Sequence, residues 1–206
     1  MIYLIGGPPR CGKTTVAVRL AHTLNCSRLP ADYLTSAFMN YVPQADWQRL
    51  FPNEGIRGDA RFANFPPEQI IANYRTKAEH TWPGMRDIIT YALYDRHTII
   101  IEGYQVEPRF VHEIITAYPQ FQIKAVFLYR SDVALLSEDL KKGTHPEDWV
   151  VRETKEAITF IRIAEMIQQY SAYICGEAAK YHLSAFNMDD QFFKRIDQVI
   201  THLQSP

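Results

Sequence analysis

The stretch Met1-Ile2-Tyr3-Leu4-Ile5-Gly6-Gly7-Pro8-Pro9-Arg10-Cys11-Gly12-Lys13-Thr14-Thr15 decides the reading of the chain. Ile2–Ile5 is an unbroken apolar run of the kind that buried parallel strands use. Gly7 to Thr14 matches G-x-x-x-x-G-K-[ST], and Val16, Ala17, Leu20 and Leu24 follow at helical spacing. A strand before and a helix after are the two contextual requirements of a phosphate-gripping loop. Glycines let successive backbone N–H groups turn inward as an anion nest, and the helix adds the positive end of its dipole. Lys13 then serves as a point charge on the outer phosphates, and Thr14 offers a hydroxyl to Mg²⁺, which prefers phosphate oxygens and keeps most of its waters. Cys11 reads as a variable loop position.

Outward from this loop, short apolar runs alternate with longer helical patterns, the order expected of a parallel sheet flanked by helices. The predicted strands are Ile2–Ile5, a weak one near Cys26–Leu29, Thr98–Ile101, Ile123–Tyr129 and His182–Phe186. Met85, Ile88, Ile89, Ala92 and Leu93 suggest a helix opened by Pro83. Phe160, Ile163, Ile167, Tyr170 and Ile174 form a core-packing stripe. Phe192 to Leu203 fits a closing helix capped by Asp189 or Asp190. From Ala37 to about Pro67, aromatics, prolines and arginines interrupt the periodicity, which predicts an inserted lobe with short elements of its own.

Composition narrows the function. The 206 residues make a single domain over 1–206, long enough to bury ~70% of its unfolded surface. Twenty-two Lys+Arg against 23 Asp+Glu give a formal net charge of -1, with no basic stripe for a polynucleotide backbone, so no nucleic-acid partner is expected. The three cysteines, Cys11, Cys26 and Cys175, have no C-x-x-C spacing and read as reduced thiols. There is no leader-like N-terminus and no apolar stretch near ~20 residues, so the expected setting is cytoplasmic, away from membrane. The seven histidines show no metal-binding spacing.

Two carboxylates are candidates for chemistry. Glu102 ends the run Thr98-Ile99-Ile100-Ile101-Glu102-Gly103, at the sheet edge where ligands bind in open α/β folds. Asp32 follows the weak second strand. Phosphoryl transfer to a hydroxyl needs one group that orients the hydroxyl and takes its proton, and one on the metal side. The expectation gives the first role to Asp32 and the second to Glu102, with the reverse assignment open. Lys141, Lys142 and Arg152 flank the polar segment Gly143-Thr144-His145-Pro146-Glu147-Asp148, a candidate lid over 141–152 whose cations would offset phosphoryl charge. Arg57, Arg61, Arg75, Lys77 and Arg109 are candidates for holding an anionic substrate.

Taken together, the loop Gly7–Thr14, the Glu102-Gly103 pair after a later strand and the polar segment before a long helix resemble the P-loop small-molecule kinases of the adenylate-kinase-like group. Ile99-Ile100-Ile101-Glu102-Gly103-Tyr104-Gln105-Val106-Glu107-Pro108 is most similar to the 2-phosphoglycerate kinase relatives, which carry an "IEGVH..P" segment; Tyr104-Gln105 replaces their Val-His. The resemblance implies the P-loop NTPase fold, with a five-stranded parallel sheet of order 2-3-1-4-5. It also implies ATP and Mg²⁺ as cofactors, Gly7 through Thr15 as the nucleotide loop, and a mobile lid. A substrate-binding lobe with its helices would occupy 37–95, and adenine would lie near Asn187, Met188 and Asp189. The site expected is therefore Lys13, Asp32 and Arg152 in catalysis, Thr14 and Glu102 at the metal, and Arg57, Arg61, Gln105 and Arg109 at a small, anionic acceptor. The competing readings are a nucleoside monophosphate or antibiotic-type kinase, an ATP-gated regulator without acceptor, and a polynucleotide end kinase.

Overall fold

Strands β1 (Ile2–Gly6), β2 (Ser27–Pro30), β3 (Ile99–Glu102), β4 (Ile123–Tyr129) and β5 (Ser184–Asn187) form one parallel sheet in the order β2-β3-β1-β4-β5. The structure, a computed structural model, describes residues 1–143 and 148–205. Successive side chains of a strand point to opposite faces, and every residue of β1 is buried, so both faces of the central strand are covered. Helix α1 (Lys13–Leu24) packs with α10 (Phe192–Gln204), and α9 (Ala157–Lys180) packs with α5 (Pro67–Tyr94), α6 (Pro108–Ala117) and α7 (Val133–Lys142). Phe160, Ile163, Ile167, Tyr170 and Ile174 of α9 are all buried, as their stripe requires. The remaining helices are α2 (Ala31–Met39), α3 (Trp47–Leu50), α4 (Gly58–Asn64) and α8 (Trp149–Glu153). No helix among the described residues is long and apolar enough to cross a membrane.

Register fixes where chemistry can occur. Ile5 of β1 and Pro30 of β2 both stand opposite Glu102 of β3. The carboxyl ends of three adjacent strands therefore deliver the loop after Gly6, the start of α2 and the Glu102 carboxylate to one edge.

Three local expectations are corrected. Pro83 does not open a helix: it lies inside α5, which begins at Pro67 and runs 28 residues. The buried face Tyr74, Ala78, Trp82, Met85 and Ile89 carries the helix through the proline, since tertiary packing outweighs the loss of one backbone hydrogen bond. The last strand starts at Ser184, because His182 has φ 56 and belongs to the turn after α9. Neither Asp189 nor Asp190 caps α10; the cap position is Gln191, whose side chain makes no cap bond. Asp189 instead accepts from Ser131 N (2.8 Å), Asp132 N (3.2 Å), Ser131 Oγ (2.8 Å) and Arg130 Nε (3.2 Å), fastening the end of β5 to the loop after β4. Cys11, Cys26 and Cys175 are free thiols; Cys11 is fully buried, and burial pushes its thiol up to about 11.

Candidate active site

The loop between β1 and α1 uses its glycines where no other residue fits. Gly7 has φ 130, and a Cβ there would stand 2.1 Å from the Leu128 carbonyl oxygen. Gly12 has φ 90 and occupies the cap position of α1, whose first turn has neither an acidic residue nor a side-chain cap. The leading N–H groups of α1 thus have no side-chain acceptor, the condition for an anion to take that place. Lys13 Nζ donates to the Pro8 carbonyl (2.6 Å), which folds the ammonium back over the loop. Thr14 Oγ1 donates to Glu102 Oε1 (3.1 Å), and Arg28 Nη1 donates to the same oxygen (2.8 Å). Two hard oxygen donors, the Thr14 hydroxyl and the Glu102 carboxylate, stand beside the phosphate nest. That donor set fits Mg²⁺, which binds through few protein oxygens and retains waters.

Opposite the loop opens a cleft of about 410 Å³. Lys13, Thr14, Glu102, Asp32, Arg61 and Lys77 all line it. Asp32 sits in the first turn of α2 and accepts from Gln105 Nε2 (2.8 Å). Arg61 of α4 is buried; it donates to Tyr74 Oη (3.2 Å) and the Asn53 carbonyl (3.2 Å), while its Nε has no partner. Lys77 of α5, only 4% exposed, is paired with Glu54 at 2.5 Å. Burial lowers the Lys77 ammonium, an effect that Glu54 only partly offsets. Burial also acts to raise Glu54, but the hydrogen bond and charge of Lys77, aided by Arg61 and Arg57, hold its carboxyl below the usual value. Lys77 takes up the Glu54 carboxylate and Asp32 lies in the same lining, so two carboxylates balance Arg61 and Lys77 in number; Arg61 nevertheless has only neutral hydrogen-bond partners among the described residues, a burial that an added anion would relieve.

Not every expected residue reaches the cleft. Arg57 does, and it also lies 3.8 Å from Glu153. Arg152 pairs with that same Glu153 (2.7 Å) and does not line the cleft. Arg109 is held by Glu79 (2.6 Å) and Glu107 (3.1 Å), away from the site. Gln105 is fully buried and meets Asp32 from behind. Arg75 lies over the ring of Tyr173, and Lys141 and Lys142 pair with Glu138 and Asp139. Of the expected lid, Thr144 to Glu147 lie outside the described residues; Arg10 of the nucleotide loop forms an ion pair with Asp148 just beyond them. At the expected adenine position, Met188 is fully buried and Asn187 is bonded to Ser131 and the Asp189 N–H. Sequence reasoning passed over Arg28, Glu54 and Thr35. A charged residue inside a predicted strand needs a partner, and that signal could have singled out Arg28; Glu54 carried none.

No family model matches the chain. A 2-phosphoglycerate kinase from Methanopyrus kandleri is 20% identical over 210 residues, spanning the whole chain but 61% of that protein's length. A gluconokinase from Sinorhizobium meliloti 1021 superposes with TM-score 0.54 at 10% identity, over 98% of this chain and 90% of its own. A shikimate kinase from Bacteroides thetaiotaomicron does so with TM-score 0.52 at 17% identity, over 99% and 96%. The chain has the P-loop small-molecule kinase fold. In that P-loop kinase fold the five-stranded sheet has the order 2-3-1-4-5 that the resemblance implied.

Proposed function

We propose that the chain is a phosphotransferase that moves the γ-phosphoryl group of ATP to a hydroxyl or other oxygen of a small anionic metabolite. One observation carries this reading: Lys13, Thr14 and Glu102 of the phosphate-loop side share a single cleft with Asp32, Arg61 and Lys77. The first set matches a triphosphate, and the second matches an acceptor with both an anionic group and a nucleophilic oxygen.

The loop amides and the N-terminus of α1 cradle the phosphates. Lys13 leaves the Pro8 carbonyl and takes the outer phosphate oxygens. Arg61 and Lys77 seat the acceptor's anionic group, with Arg57 at the rim, and thereby aim its hydroxyl toward Asp32. The acceptor oxygen bonds to the γ-phosphorus as the bond to the leaving ADP oxygen breaks, and the hydroxyl proton passes to an Asp32 carboxylate oxygen. Mg²⁺, which Thr14 and Glu102 would hold, would supply charge neutralisation on the phosphate oxygens. Arg28 keeps Glu102 in place. Catalysis is positioning plus electrostatics, with no covalent intermediate. In this reading residues 37–95 form the acceptor-binding lobe, and 141–152 form a lid that excludes water on closing. Arg152 would join the phosphates only as that lid moves, and Arg109 has no part.

The test is transfer from γ-labelled ATP to a panel of 2-phosphoglycerate, gluconate, shikimate and nucleoside monophosphates. Saturable labelling of one member is expected, and its kcat/KM names the acceptor. ATP binding with only slow hydrolysis across the panel would favour an ATP-gated regulator instead.

A further inference from the structure

Gln105 stands in the turn between β3 and α6, fully buried, with its amide nitrogen between two acceptors. Its Nε2 donates to Asp32 Oδ1 (2.8 Å) and to Thr35 Oγ1 (3.0 Å). Thr35 Oγ1 lies 3.0 Å from Thr81 Oγ1, and Thr81 donates onward to the Lys77 carbonyl (2.8 Å). With the Thr81 proton committed to that carbonyl, the Thr35 hydroxyl accepts from Gln105 and shares its own proton between Thr81 Oγ1 and the Ala31 carbonyl (3.3 Å). The chain therefore has one direction, and both Gln105 amide hydrogens are used. Its Oε1 is buried without a partner. It packs against Gly103, where a Cβ would come within 2.4 Å. Rotating the amide would turn its oxygen toward the Asp32 carboxylate, which is worse, so the orphaned oxygen is retained for the sake of the donated bond.

We propose that Gln105 is the positioning residue for Asp32. It fixes the carboxylate rotamer so that one oxygen is occupied from behind and the other is left for the acceptor hydroxyl. Through Thr35 and Thr81 it also ties Asp32 to the turn of α5 that carries Lys77, so base and anion seat are set relative to each other. The proposal rests on the reading that Asp32 takes the acceptor proton. Gln105 touches neither substrate, and its removal acts on the chemical step. The other charged or titratable groups lining the cleft with Asp32 are Arg10, Lys13, Arg57, Arg61, Lys77, Glu54, Glu102, Tyr74 and Tyr104. None of these donates the bond that Gln105 makes.

The experiment uses the full chain with Mg²⁺, ATP and each of 2-phosphoglycerate, gluconate, shikimate and nucleoside monophosphates as acceptor. For Gln105→Ala, kcat is expected to fall roughly tenfold or more, with KM for ATP and acceptor within about twofold of wild type. Gln105→Glu keeps the volume but replaces the donor with a carboxyl. Its kcat relative to wild type should be low at about pH 8 and recover toward about pH 6, where the new carboxyl holds a proton to donate to Asp32. Calorimetric ATP binding, unchanged in both variants, establishes that they fold. A wild-type-like kcat in Gln105→Ala, or a loss matched by raised KM and weakened ATP binding, overturns the positioning role while leaving the kinase reading standing. So does a Gln105→Glu ratio that is flat with pH. No transfer by the wild type to any panel acceptor overturns the kinase reading, and this proposal with it.

Discussion

Lys13 Nζ rests 2.6 Å from the Pro8 carbonyl, a bond that the proposed mechanism exchanges for phosphate oxygens. Lys13→Ala should lower transfer by roughly 100-fold or more, with little change in melting temperature, since the proposed mechanism uses the lysine on a developing charge and not in the core; steady-state kinetics beside a thermal melt checks both. Gly7→Ala should fail differently. Its Cβ would strike the Leu128 carbonyl at 2.1 Å in a backbone conformation that L-residues avoid. A loss of about 1–3 kcal/mol in denaturant unfolding, together with loss of ATP binding, is expected. Both residues were legible in the sequence because the loop is local: its spacing, strand and helix all lie within the first 24 residues. The Arg28–Glu102 contact, 74 residues apart, and the Lys77–Glu54 pair, 23 apart, are products of the tertiary fold that no local spacing announces.

At the scale of elements, Asp189 is the clearest clamp, joining the end of β5 to the start of α7 through Ser131, Asp132 and Arg130. Burial alone would raise its carboxyl, but the Ser131 backbone and hydroxyl bonds and Arg130 outweigh it and hold it below its ordinary value. A carboxylate depressed in the folded state contributes stability that is present above its unfolded value and is lost as pH falls through the folded one. The wild type should therefore lose stability with acid below about pH 4, and Asp189→Asn should be less stable at neutral pH by about 1–3 kcal/mol and show a flatter acid slope. Urea unfolding at several pH values measures both. Asp59 adds to the same acid slope: burial acts to raise its carboxyl, but the Lys155 N–H, the Thr159 hydroxyl and the Glu156 N–H together outweigh it and hold it low. The sequence signalled an aspartate at this place but suggested helix capping, because an Asp just before a helical pattern is a start signal and its partners across the sheet are invisible. Pro83 misled in the same way: it reads as a helix start, and only the buried face of α5 shows that the helix passes through it.

Over the whole molecule, the segment before α5 and the segment before α9 meet. Gly58 has φ 51, and a Cβ there would lie 1.7 Å from the Glu153 carbonyl oxygen. Glu153 also pairs with Arg57 and Arg152, and Asp59 accepts from Lys155 and Glu156 N–H groups. Gly58→Ala should push α4 off α8 and raise the acceptor KM severalfold more than the ATP KM, as read by two-substrate kinetics, because Arg57 and Arg61 sit on α4 and its lead-in. Class and alternation of the fold were legible from periodicity, and strand order came with the resemblance. The meeting of these two segments was not, since irregular stretches carry no period from which to read a partner.

The proposed activity requires the loop from Gly7 to Thr15 to grip a triphosphate. Titration calorimetry of the folded chain with ATP in the presence of Mg²⁺ tests this most directly. Saturable binding at one site is expected in the wild type, greatly weakened by Lys13→Ala; absence of any binding isotherm in the wild type would contradict the proposed function.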